Sequence, residues 1–192
     1  MNIGVLALQG DFYLHQKRLT EVGVTAVAVR KPEQLEGLAG LVIPGGESTT
    51  LVKLMRHIGL DEAIPRFAER APVFGTCAGA ILVSRTVTNH PVPPFNLIDM
   101  TIHRNAYGTQ VDSFSDDVTV DLGEGMPDRV EGVFIRAPRI VAVGDGVRVI
   151  GTHGDDVVMV ENDRILAATF HPELARTTAI HAYFVRKCRL AG

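Results

Sequence analysis

The sequence predicts a three-layer α/β fold: a mostly parallel central sheet with helices on both faces and antiparallel additions in the C-terminal half. Three observations lead there. Apolar runs at 3–8, 25–29, 40–43 and 73–76 are nearly continuous rather than alternating, as strands buried on both faces require. Turn-like and helix-like segments separate these runs, and that alternation builds parallel sheets. In the second half the chain changes to short β-like runs divided by glycine and aspartate, the pattern of antiparallel strands.

Taken in order, residues 3–8 end at Gln9-Gly10-Asp11, a turn and cap ahead of a helix over 12–21. The run at 25–29 passes through Lys31-Pro32-Glu33 to the run at 40–43, which stops at Pro44-Gly45-Gly46. Leu51, Leu54, Met55 and Ile58 recur at helical spacing behind a cap at Ser48 or Thr49, and a further helix covers 60–70. Pro72 introduces the strand at 73–76, and the helix after Cys77 fades around Ser84. The loop from 88 to 94, with three prolines, reads as a stiffened surface crossing with a solvated His90 and no assigned function. Strands are expected at 98–103, 118–122, 130–135, 140–143, 147–153, 157–161 and 165–170. An amphipathic helix over 178–190 closes the chain, with Cys188 on its apolar stripe beside Ile180, Tyr183 and Phe184.

With 192 residues, 46% hydrophobic and 21% charged, the chain is sized for one domain over 1–192 with a sizeable core. A net charge of −3 leaves no basic surplus for nucleic acid or an anionic membrane. The N-terminal apolar run lacks a preceding basic region and is too short to span a bilayer, so a cytoplasmic location is expected. Two cysteines supply no disulfide framework. His15, His57, His103, His153 and His181 have no cysteine or carboxylate at metal-ligand spacing, and neither a metal nor a cofactor is expected.

Chemistry concentrates at Cys77, where a strand meets a helix between Gly75 and Gly79. The helix's unpaired N–H groups and positive dipole end stabilise a thiolate there. Glycines at i−2 and i+2 suit a strained nucleophile turn, because side chains would collide with the turn or with substrate. Taken alone, the thiol is as readily a small core hydrophobe. The downstream run Thr169-Phe170-His171-Pro172-Glu173 shifts the balance. In an extended segment residues two apart share a side, so Glu173 can orient His171 towards the thiol as nucleophile, base and orienter.

The run Pro44-Gly45-Gly46-Glu47-Ser48-Thr49-Thr50 lacks both the phosphate-loop spacing and the dinucleotide fingerprint. It is either a capped connector or a backbone able to present an N–H to an anion, beside an acid and hydroxyls for a polar ligand. Arg104 and Arg136, each near a strand end, are surface charges or two-point holders of a substrate carboxylate.

With the Pro-Gly-Gly-Glu-Ser, Gly-Thr-Cys-Ala-Gly and Phe-His-Pro-Glu runs together, the chain resembles the triad-type (class I) glutamine amidotransferases. The likeness is closer to the branch that serves pyridoxal 5′-phosphate synthesis. It is carried by Leu8-Gln9-Gly10, the runs 30–35, 44–50 and 74–79, Arg104-Asn105 with Gly108, and the runs 110–114, 132–138 and 170–174. This resemblance implies hydrolysis of L-glutamine to L-glutamate and ammonia. It implies as partner a barrel-shaped pyridoxal 5′-phosphate synthase subunit in a hetero-oligomer, fed through a tunnel, which builds the pyridine ring from ribose 5-phosphate and glyceraldehyde 3-phosphate. By the same resemblance Cys77 is the nucleophile, His171 the base and then acid, and Glu173 the orienter. Gly46, Glu47, Ser48, Arg104, Ile135 and Arg136 contact glutamine, and the N–H groups of Gly46 and Ala78 form the oxyanion hole. Activation by the synthase, also implied, would be transmitted by rotation of the Gly45-Gly46 peptide.

Asp11-Phe12-Tyr13-Leu14-His15 is bulkier and more aromatic than the family pattern, and is expected at the docking surface with no part in catalysis. Rival readings are a glutaminase serving histidine, purine or carbamoyl phosphate formation, and a redox-sensing relative. Relatives of the latter kind carry a histidine directly after the cysteine, where this chain has Ala78.

Overall fold

The computed structural model describes residues 1–88, 93–104 and 113–191. The expected crossing at His90 and the motif residues Asn105, Gly108 and 110–112 lie outside the described residues. In chain order the elements are β1 (Asn2–Leu6), α1 (Phe12–Glu21), β2 (Thr25–Val29), a 3₁₀ turn (Pro32–Leu35), β3 (Gly40–Ile43), α2 (Ser48–Ile58), α3 (Leu60–Ala68), β4 (Val73–Thr76) and α4 (Ala78–Val83). There follow β5 (Ser84–Thr88), β6 (Ile98–His103), β7 (Phe114–Val120), β8 (Arg129–Phe134), β9 (Arg139–Val143), β10 (Arg148–His153), β11 (Asp156–Glu161), β12 (Ile165–Ala168) and α5 (Ala179–Ala191).

A nine-stranded sheet runs β2-β1-β3-β4-β12-β11-β10-β7-β8. Its first five strands are parallel. From β12 to β8 every pairing is antiparallel. The predicted architecture is therefore the observed one, and β12 is the strand where its two halves join. Neighbouring residues of the central strands point to opposite cores, which is why those strands read as unbroken apolar runs. Leu41, Ile43, Val73 and Ala167 pack with Leu51 and Met55 of α2 and Phe67 of α3. Val42, Phe74, Leu166 and Ala168 pack on the other face with Leu19 of α1 and Ile180 and Phe184 of α5.

Two elements differ from expectation. A second sheet, β5-β6-β9, stands apart from the first, and its strand β5 begins directly at the end of α4 with no turn between them. The polar Ser-Arg-Thr-Val-Thr run of β5 carries no glycine or proline to mark a strand. Strand β7 starts at Phe114, earlier than its apolar pattern suggests, because Ser115, Asp116 and Asp117 take exposed places along a hairpin with β8.

Candidate active site

Cys77 sits one residue beyond β4, at the carboxyl edge of the parallel strands, where ligand sites of such sheets gather. Its N–H donates to the Ala168 carbonyl at 2.9 Å, one further rung of the β4–β12 ladder beyond Thr76↔Ala168. The next turn forces Cys77 to φ +49°, a backbone region unfavourable to side-chain-bearing residues. Both flanking glycines are required by close approach. A Cβ on Gly75 would meet the Gly79 carbonyl oxygen at 2.5 Å, and one on Gly79 would meet the Ile43 carbonyl oxygen at 2.0 Å. The crowding is therefore with the protein's own backbone.

His171 follows the end of β12, and its N–H donates to the Val133 carbonyl at 2.8 Å. Its ring lies beside Cys77 in the same cleft, and its Nδ1 is 2.7 Å from Glu173 Oε1. The expectation that His171 and Glu173 share one side of an extended segment is corrected here. Residues 171–174 form a turn closed by the Leu174 N–H on the His171 carbonyl at 3.2 Å. Pro172 takes the position its fixed φ favours, and the turn folds the carboxylate back onto the imidazole.

Burial opposes charge on His171, but hydrogen bonds and attraction from Cys77 and Glu173 outweigh it and lift its pKa to about 10. Glu173 is 1% exposed. Burial pushes it up, while contacts with His15 and His171 hold it well below the usual carboxylate range. At neutral pH the pair is an imidazolium on a carboxylate, and an imidazolium beside sulfur is the partner a thiolate needs.

These groups open onto a cleft of about 220 Å³. Nine of the ten residues singled out from the sequence line it, namely Gly46, Glu47, Ser48, Cys77, Ala78, Arg104, Ile135, Arg136 and His171. Glu173 stands behind His171, outside the cleft. Gly10, Asp11, Ile81 and Pro138 also line it and were not anticipated. A larger cavity of about 550 Å³ lies between β7, β8 and Arg176, but no thiol or imidazole lines it. Arg136 shares the strained backbone of Cys77, with φ +44°. The sulfur lies 4.0 Å from the Ile135 carbonyl oxygen.

The 44–50 run is both connector and cleft wall. The cap of α2 is Glu47, not Ser48 or Thr49: its carboxylate accepts the N–H groups of Thr49 and Thr50 at 3.2 and 2.7 Å, and both threonine hydroxyls as well. Burial works against its charge, yet these bonds bring it down to about 2. Arg104 donates to the same carboxylate at 2.7 Å, which ties the end of β6 to the start of α2. A Cβ on Gly45 would fall 2.5 Å from His171 Cε1 and 3.2 Å from Cys77 Cβ, so this backbone packs directly on the reacting groups. The Gly45 carbonyl oxygen is in turn packed against Gly10, whose φ is +80°.

The sequence reading gave the 11–15 segment to the surface. Asp11 and Tyr13 are exposed, but His15 is fully buried and its Nε2 lies 3.1 Å from Glu173 Oε2. Among the described residues no helix is long and apolar enough to cross a membrane.

The fold is that of class I glutamine amidotransferases, enzymes that release ammonia from glutamine. A solved structure described as a glutamine amidotransferase superposes with a TM-score of 0.90 at 43% identity, covering 97% of this chain and 98% of the other. A structure of PurLQS from Thermotoga maritima shares the fold at TM-score 0.69 and 17% identity, over 99% of this chain and 96% of the other. The SNO glutamine amidotransferase family matches residues 5–190, and the chain belongs to that family. A pyridoxal 5′-phosphate synthase subunit PdxT from Pelotomaculum thermopropionicum is 48% identical over 194 residues, 100% of this chain and 97% of the relative. Its counterpart from Thermus thermophilus is 46% identical, over 99% and 97%.

Proposed function

We propose that the chain, as one domain over residues 1–192, is the cytoplasmic glutaminase subunit of a pyridoxal 5′-phosphate synthase. It hydrolyses L-glutamine and passes the ammonia to a barrel-shaped synthase subunit that uses ribose 5-phosphate and glyceraldehyde 3-phosphate. The carrying observation is that Cys77 and His171 line one cleft sized for one amino acid, with His171 Nδ1 2.7 Å from Glu173 behind it. Near full-length identity to subunits of that name supports the choice of partner.

The chemistry follows from the placement. The Cys77 thiolate attacks the side-chain carboxamide carbon of glutamine, and the carbonyl oxygen becomes an oxyanion held by the N–H groups of Ala78 and Gly46. His171 gives its proton to the nitrogen as the C–N bond breaks, so ammonia leaves and a thioester remains. The neutral imidazole then takes a proton from water as that water attacks the thioester, and glutamate leaves with the thiolate restored. Arg104, held by Glu47, and Arg136 supply cations for the substrate's α-carboxylate, with Ser48 and Ile135 completing the wall.

The test is ammonia release from glutamine by the chain mixed with candidate synthase subunits. Cys77→Ala should fold and lose hydrolysis, since no covalent route remains. Glutamine hydrolysis surviving that substitution would refute the nucleophile. Stimulation by a purine or histidine synthase, and none by the pyridoxal 5′-phosphate synthase subunit, would refute the partner.

A further inference from the structure

The triad does not end at Glu173. One oxygen of that carboxylate takes His171, and the other faces His15 Nε2 at 3.1 Å, with the side chains of Glu173 and His15 both fully buried. The approach is off-axis: the ring nitrogen's hydrogen bond is with Thr76 Oγ1 at 3.3 Å, and Glu173 Oε2 meets it as an ion-pair contact, with no hydrogen bond of its own among the described residues. On the far side, His15 Nδ1 is 3.0 Å from Nε2 of His181, which is also fully buried. Two ring nitrogens at that distance need one donor and one acceptor.

We propose that His15 and His181 are positioning residues for the triad: a buried chain of polar contacts from α5 through α1 that holds the Glu173 carboxylate by a close charge contact and, through it, the orientation of His171. This rests on the glutaminase reading above. The hydrogen positions follow from the partners. Glu173 can only accept, so His15 carries a proton on Nε2, and in the neutral ring its Nδ1 is then a lone pair. His181 must then donate from Nε2, which leaves its own Nδ1 bare, and that is the ring atom with no partner among the described residues. A bare lone pair there is the tolerable arrangement, because a buried N–H without an acceptor is the rarer and costlier one. Burial holds His181 well below its ordinary pKa, in keeping with a neutral ring. The far end closes against the Phe74 ring, so the chain holds the carboxylate in place without conducting protons outward.

The groups facing the carboxylate are His171 on the β12 side, His15 on α1, Thr76 at the end of β4 and, one ring further, His181 on α5. Arg18 of α1 donates to the Glu173 and Ala175 carbonyl oxygens at 3.2 and 2.5 Å, which clamps the backbone of the same turn. Two helices distant in sequence thus bear on the side chain that aims the imidazole, α1 directly through His15 and α5 through the His15–His181 contact.

The experiment uses the full chain. Glutamine kinetics are measured with the synthase subunit present, and alkylation of Cys77 by iodoacetamide is followed against pH in the chain alone. Cys188 stays silent in the second assay, since burial pushes its thiol up to about 12, and Cys77→Ala gives the background. His15→Leu keeps the bulk and removes the donor. It should lower kcat roughly 10–100-fold, the range typical of losing an outer partner of a functional side chain, with KM nearly unchanged. The acid limb of alkylation should move to higher pH. Without His15 the Glu173 carboxylate is held less firmly and supports the His171 imidazolium less, so the imidazolium stabilises the thiolate less and the thiol keeps its proton to higher pH. His181→Leu should act in the same direction with a smaller effect. His15→Gln places an amide donor near the lost Nε2 and should recover most of the loss. Parent-like kinetics and alkylation in His15→Leu would overturn the proposal, as would equal impairment in the Leu and Gln variants, which would make His15 a packing residue. A parent chain without Cys77-dependent hydrolysis would instead overturn the glutaminase reading.

Discussion

Substituting Gly45 by alanine tests whether the cleft is as tightly built as the distances state. The new methyl would fall 2.5 Å from His171 Cε1 and 3.2 Å from Cys77 Cβ, whereas ordinary contact begins near 3.4 Å. Relief requires the imidazole to retreat by roughly 1 Å, or the 44–48 backbone to withdraw by as much. The first breaks the register of a ring whose Nδ1 is 2.7 Å from Glu173, and the second displaces the Gly46 N–H from its proposed place at the oxyanion. A 1 Å misplacement of reacting groups costs on the order of 100-fold, and losing one oxyanion donor costs about 10²–10³ in rate. The expected result is a kcat lower by about two orders of magnitude with the synthase subunit present. Overpacking should destabilise the fold by only about 1–3 kcal/mol, so the thermal transition persists at reduced temperature. A variant with kcat within threefold of the parent and an unchanged transition would refute the reasoning, since the clash would then have found a harmless outlet.

The pH dependence of the site has a definite sign. His171 is raised from 6.5 to about 10, so its contribution to stability is complete below 6.5 and is lost as pH climbs through 10; the unfolding temperature should fall across pH 6.5–10 in the parent more steeply than in His171→Ala. Glu173 is depressed, so its contribution is complete above 4.5 and is lost on acidification, and Glu173→Gln should flatten the acid arm of a thermal-stability profile. Glu47→Ala removes the α2 cap at about 1 kcal/mol and releases Arg104, and the KM for glutamine should rise more than kcat falls. Gly79→Ala, with its Cβ 2.0 Å from a β3 carbonyl oxygen, should shift the nucleophile turn and show as slowed iodoacetamide alkylation of Cys77.

Much of this was legible in the sequence because it is locally encoded. Unbroken apolar runs disclosed the two-faced strands, and Cys77 between two glycines disclosed the strained turn. The His171-Glu173 pair was found, but for a reason the structure replaces: Pro172 closes a turn, and no extended segment is involved. The cap of α2 was given to the hydroxyls because short side chains dominate such positions, yet Glu47 is long enough to reach the same N–H groups from one residue back. His15 and His181 could not be read at all. They stand 166 positions apart, each looks like an isolated ring on an amphipathic helix, and their meaning exists only where α1 and α5 cross behind the carboxylate. Strand β5 escaped because nothing in its five residues punctuates the end of the helix before it.

The thiol and the imidazole stand just past two adjacent strands, and the last rung between that pair is the one Cys77 itself donates to Ala168. Their spacing is thus set by main-chain pairing, which every sequence able to form these strands repeats. Substitution can reshape the mouth of the cleft, alter the preferred amide or exchange the docking partner, while the aim of sulfur and ring is carried by the backbone beneath them.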